Sequence, residues 1–148
     1  MSFIGKIYGE FYKEVFSGNI DWETDVFKVV LLKDTYTPDL LNHKVLNDID
    51  LTTNEAAGTN YTAGGAELDN KAIEYTHATR KVLVKADDTE WANSTVTAQY
   101  AVLYKDTTDG ATSTLVKVID FGENKSSTNG TFKLSWGTSV IELELIDI

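Results

Sequence analysis

Val26-Phe27-Lys28-Val29-Val30-Leu31-Leu32 is one of the two densest β-forming stretches in this 148-residue chain. Read as a strand, it puts Val26, Val30 and Leu32 on one face and Phe27, Val29 and Leu31 on the other. A half-exposed strand alternates apolar with polar residues. This one is apolar on both faces, so it is expected to be central and covered on both sides. The second dense stretch is Val96-Thr97-Ala98-Gln99-Tyr100-Ala101-Val102-Leu103-Tyr104. An acid and a tryptophan precede each stretch (Asp21-Trp22, Glu90-Trp91), and Lys-Asp-Thr follows each (33–35 and 105–107). The two spacings differ, so convergent turn chemistry accounts for the repeat as well as duplication does.

Outward from these strands, turn residues divide the rest of the chain. Residues 3–16 predict an amphipathic helix, with Ile4, Ile7, Tyr8, Phe11 and Val15 at helical spacing. Ser17-Gly18-Asn19 ends it, Gly18 being suited to a left-handed cap. The first strand covers 25–33, and 34–39 is a turn. Thr37 can cap a short helix with Pro38 at its first position, running to Val45 or Leu46. The polar stretch 50–65 reads as a long surface loop. Strands follow at 66–76 and 81–86 around a turn at 77–79. A turn at 87–93 leads to the strand 95–104, and Thr108-Asp109-Gly110 gives a hairpin signal. Next come a strand at 115–121, a loop at 122–130 and strands at 131–136 and 139–146. About seven strands at this spacing predict a mainly β fold with an N-terminal helix, an antiparallel sandwich or barrel. One domain is expected over 1–148, with a helix at 1–17 and a β-rich body at 20–148.

Composition narrows the chemistry. There is no cysteine, and only two histidines, His43 and His77, so a structural zinc site has almost no ligands to use. The net charge is −10 and Arg80 is the only arginine, which opposes phosphate-backbone binding and points to no direct nucleic-acid partner. The acidity favours solubility, with steering toward a basic partner as the alternative. No apolar run approaches a membrane span, and no signal peptide pattern opens the chain. Synthesis in a cytoplasm is the expectation.

Each candidate reactive group has a plainer reading. Asp87, Asp88 and Glu90 form the tightest acidic group but lack the alternating ligands and glycine of a calcium loop. Asp106 and Asp109 flank a hairpin. Neither histidine has a nucleophile partner in a recognisable pattern, and no serine sits in a Gly-x-Ser-x-Gly elbow. Asn60-Tyr61-Thr62-Ala63-Gly64-Gly65 lacks the lysine of a phosphate loop. Trp22, Trp91 and Trp136 read as core closing a sandwich, against a sugar platform or a contact hot spot. Tyr100 and Tyr104 read as core lining or a subunit contact. No catalytic residue, cofactor or metal site is expected.

Further strings carry a resemblance. They are Ile20-Asp21-Trp22, Phe27 to Leu32, Tyr36-Thr37-Pro38-Asp39, Tyr61 to Gly65, Ala86 to Trp91, Tyr100 to Thr107, Ile119-Asp120-Phe121-Gly122 and Asn129-Gly130-Thr131-Phe132. In this order the chain resembles a small structural protein found widely in tailed-bacteriophage genomes. The resemblance spans about residues 7 to 145, and it is the set, not any one motif, that is specific. It implies a non-enzymatic virion protein, made in the host cytoplasm and present in many copies. A capsid decoration or auxiliary protein stabilising the head is the first expectation. A tail or head–tail connector component, or a carbohydrate-binding adhesin, is the alternative. The implied partners are the major capsid protein, other virion proteins and further copies of the chain. Phe3, Ile7 and Phe11 of the N-terminal helix, or the 50–65 loop, are the expected docking elements. Removing residues 1–17 is expected to leave the β-body folded.

Overall fold

The computed structural model describes residues 4–145. It is mainly β, with two antiparallel sheets and few helices. Along the chain run β1 (Ile4–Ile7), α1 (Gly9–Phe16), β2 (Phe27–Leu32), a 3₁₀ turn (Leu46–Ile49) and a single helical turn, α2 (Leu51–Asn54). Then follow β3 (Ala66–Glu67), β4 (Ala72–Thr76), β5 (Lys81–Lys85), β6 (Thr89–Lys105), β7 (Leu115–Leu134) and β8 (Ile141–Glu144). The larger sheet has the order β1-β7-β6-β2-β3, and the smaller one the order β4-β5-β8.

β2 lies between β6 and β3, with Phe27 opposite Lys105 and Leu32 opposite Tyr100. Both of its faces are buried, as the sequence requires. Phe27, Val29 and Leu31 enter a core shared with Phe11, Leu68, the three tryptophans and Ile141 of β8. Val30 and Leu32 enter a second core with Tyr8, Tyr36, Ile49, Val102 and Leu115. The small sheet contributes to cover on the first side. On the second, where no sheet lies, residues of the 36–51 segment close the core.

β6 and β7 form one long bent hairpin in place of the expected turn at 87–93 and loop at 122–130. The glycines and asparagines that read as turns sit in its bulges. Gln99 alone stands opposite residues 121–124, where Gly122 has a φ of 80° and its N–H donates to Asp120 Oδ1. Asn93 and Asn129 take positive φ at the other irregularities. Such bulges bend a strand pair without ending it. Buried Ser94 fills one: its hydroxyl bonds to Trp91 O at 2.8 Å and to the hydroxyl of Ser127 at 2.7 Å. The outer half of the hairpin then folds Trp91, Val96, Phe132 and Leu134 onto the first core.

The N-terminus departs from the expected helix. Residues 4–7 are a strand paired with β7, from Ile4 opposite Asp120 to Ile7 opposite Lys117, and the helix begins only at Gly9. Helical spacing of apolar residues in so short a stretch is overridden by an available sheet edge. Tyr8 is fully buried and Phe11 is 8% exposed, so the described residues 4–17 are part of the fold, not a detachable docking arm. The short helix expected after Pro38 is also absent. Asp39 instead accepts the N–H groups of Leu41 and Asn42, an Asx turn that competes with helix. The stretch 66–76 divides into β3 and β4, which belong to different sheets.

The 50–65 loop is a strap held against the large sheet. Ala56 N–H donates to Leu31 O, and the chain bridges again at Thr59 and Thr95. Two glycines permit the close approach. A Cβ at Gly58 would collide with Thr95 O, and one at Gly65, where φ is 89°, with Val29 O. Gly65→Ala combines a backbone clash with a left-handed conformation, and is expected to cost about 2 kcal/mol or more. Urea unfolding measures it, and an unchanged midpoint contradicts the tight strap.

Candidate functional site

Most buried polar groups in the described residues serve the frame. Tyr61 OH donates to Glu55 Oε2 at 2.7 Å and accepts the Leu31 N–H at 3.0 Å. The same carboxylate oxygen accepts the Gly64 N–H at 2.7 Å, and Tyr104 OH donates to Gly64 O at 2.5 Å. Burial raises both phenols well above their ordinary range. The glycine-rich 60–65 stretch is thus clamped by two tyrosines. Trp22 Nε1 donates to Lys85 O, tying the segment before β2 to the small sheet.

The residues singled out in the sequence are dispersed. Asp87 accepts from Asn70, and Asp88 accepts the Trp136 N–H at 2.9 Å and pairs with Lys133 at 3.6 Å. Glu90 stands opposite Lys133 in the β-ladder. Asp106 pairs with Lys28 at 2.9 Å, and Asp109 accepts the Ala111 N–H. Among the described residues no group of three or more His, Asp or Glu is placed to hold a metal ion. Trp22, Trp91 and Trp136 are all buried, so they do not form a stacking platform for a sugar. Tyr104 lines the second core, and Tyr100 packs against it, edge-on to Tyr36.

His43 ends a buried relay that sequence spacing did not reveal. Its Nδ1 lies 3.0 Å from Tyr36 OH, which lies 2.8 Å from Tyr8 OH. With Nδ1 as acceptor, Tyr36 donates to His43 and Tyr8 donates to Tyr36. Burial pushes the Tyr36 phenol up to about 12 and that of Tyr8 higher still. The relay joins the start of α1 to the 36–43 segment across the second core. Nearby, Asp48 accepts the N–H groups of Lys44 and Val45, which hold its carboxyl below the ordinary value of 3.8. His77 has a different setting, with its ring 4.8 Å from that of Tyr75 on the surface.

One groove of about 430 Å³ lies beside the strap, lined by Lys33, Asp34, Ala56, Thr95, Thr97 and Asn124 among others. Its carboxylate, Asp34, already accepts from Asn124 at 3.1 Å. A second groove of about 260 Å³ runs between α1 and β8, with Tyr12 and Leu143 among its lining residues. Lys117 lies in this groove; its ammonium donates to Val140 O at 2.6 Å, and burial lowers its pKa. A Cβ at Gly5 would strike the Lys117 stem, so the glycine makes room for it.

This second groove lies within the main exposed apolar surface. Tyr12, Val15, Phe16, Ile73, Tyr75, Leu143 and Leu145 are all exposed; among the described residues only Val26 and Leu41 are other large apolar side chains of that kind. Phe16 is 89% exposed, one helical turn beyond Tyr12. Across the groove, Leu143 pairs with Val82, which pairs with Tyr75. Directly opposite residues share a face, so the surface continues across the small sheet. Its charged face is the reverse one, where Lys85 pairs with Glu74 and Lys81 with Glu142.

Two of the three expected docking residues are turned into the fold. Phe11 is a core residue, Ile7 is partly buried against the same core, and Phe3 lies outside the described residues. The free face of the helix is Tyr12, Val15 and Phe16. No family model, curated protein or solved structure matches the chain.

Two outcomes follow from the polar network. Tyr36→Phe strands the buried Tyr8 hydroxyl and is expected to cost about 1–3 kcal/mol, while adding Tyr8→Phe costs much less than Tyr8→Phe alone. Additive losses in denaturant melts contradict the relay. Asp48→Asn is expected to lower stability at pH 7 by about 1 kcal/mol. A lowered carboxyl pKa stabilises above the unfolded value and loses that contribution as pH falls through the folded one. The gap between Asp48→Asn and the parent should therefore close below the ordinary value of 3.8. A gap that persists there contradicts the assignment.

Proposed function

We propose that this chain is a non-enzymatic structural protein of a tailed-bacteriophage virion, acting as a decoration or auxiliary protein on the head. The observation that carries the assembly role is the gathering of exposed large apolar side chains on α1 and the small sheet. Contiguous apolar surface of this kind marks contact with another macromolecule. The phage assignment rests on the resemblance, whose strings coincide with the frame. Phe27 to Leu32 is β2, Tyr61 to Gly65 is the clamped part of the strap, and Tyr100 to Lys105 is the inner half of β6. Many copies on a repeating shell bind strongly together even when each binds weakly.

Quantitative mass spectrometry of purified particles tests the reading. A head decoration is expected at hundreds of copies per particle, whereas about six or twelve would move the protein to the tail axis. Absence from particles overturns the proposal.

A further inference from the structure

We infer that two copies of this chain pair through the surface formed by α1 and the uncovered part of the apolar face of β4, β5 and β8. This deepens the assembly reading by naming the occupant of the exposed apolar side.

Charge distribution argues for a second copy. The chain carries −10, but the segments that build this side, 9–16, 71–85 and 141–145, carry none of the excess. Lys13, Lys71, Arg80, Lys81 and Lys85 balance Glu10, Glu14, Glu74, Glu142 and Glu144 one for one. The acidic excess therefore lies on the rest of the molecule. Two copies meeting here keep their like charges on the far sides, where separation and salt weaken the repulsion. A basic partner would find its complement elsewhere on the chain. The Lys81–Glu142 and Lys85–Glu74 pairs lie on the reverse face, so their charges do not oppose one another across the apolar side of a two-fold pair.

Area argues the same way. Three aromatic side chains, of about 150–250 Å² each when whole, and four aliphatic ones, all between 38% and 89% exposed, together present on the order of 800 Å². A standard interface takes about 800 Å² from each partner. Phe16 protrudes from the helix end, and the Tyr12–Leu143 groove, about 260 Å³, offers a receptacle on the same surface. In a two-fold pair a projecting side chain of each copy enters the groove of the other, so the contact is made twice.

Sedimentation of the full chain between about 1 and about 200 µM tests the inference. The parent is expected to shift from monomer to dimer over this range. Phe16→Glu and Leu145→Glu change side chains that are mostly exposed, so near-ultraviolet circular dichroism should report an intact fold. Each is expected to raise the dimer dissociation constant tenfold or more. Leu41→Glu, at an equally exposed residue outside these segments, should leave it unchanged. Added salt should strengthen pairing, because it screens the acidic remainder. A parent that stays monomeric throughout overturns the inference, as does a dimer indifferent to Phe16→Glu and Leu145→Glu, or one weakened equally by Leu41→Glu. A monomer that still loads onto particles would overturn the pairing and leave the virion role standing.

Discussion

The structure depends on β2 being apolar on both faces. A strand with one wet face needs one covering layer, whereas this one needs two. On one side the cover comes from the small sheet, α1 and the folded-over end of the β6–β7 hairpin. On the other it comes from irregular chain between Tyr36 and Leu51 together with Tyr8. Irregular chain carries backbone groups that must find partners, and this explains the density of side-chain bonds around it. Asp39 and Asp48 cap its turns, the Tyr8–Tyr36–His43 relay joins it to α1, and Glu55 with Tyr61 pins the strap that follows.

The same demand divides the molecule by polarity. The small sheet serves as cover only where Val84 and Ile141 meet the core. Beyond that contact its apolar face continues outward as Tyr75 and Leu143, which are about half exposed. A three-stranded sheet that merely covered a core would turn polar there. Its continued apolar pattern is the feature on which the proposed pairing rests. The acidic excess lies elsewhere on the chain.

The sequence revealed the parts whose signals are local and strong. The two-sided run at 26–32 and the run at 96–104 gave the central pair, and turn spacing gave a mainly β fold. It hid what depends on distant partners. Ile4 to Ile7 reads as helix because its spacing is helical, and only the edge of β7 makes it a strand. Gly122 and Asn129 read as a loop because positive φ is common to turns and bulges, and only the cross-strand register tells them apart. The relay joins residues 8, 36 and 43, and the apolar side joins residues 12, 75 and 143. Neither has a sequence motif. The alternation Ile73-x-Tyr75 and Ile141-x-Leu143-x-Leu145 was the one visible trace of that surface, but alternation does not say which half of a face is covered.

Native-state hydrogen exchange tests the two-sided frame most directly. Buried, doubly covered strands exchange only through global unfolding, whereas less supported elements open locally. Amides of Val29 to Leu32 and Ala101 to Leu103 should share the slowest exchange, with a free energy equal to that of global unfolding. Those of β4 should exchange faster through local opening. Exchange of β2 at or above the rate of β4 would contradict the account.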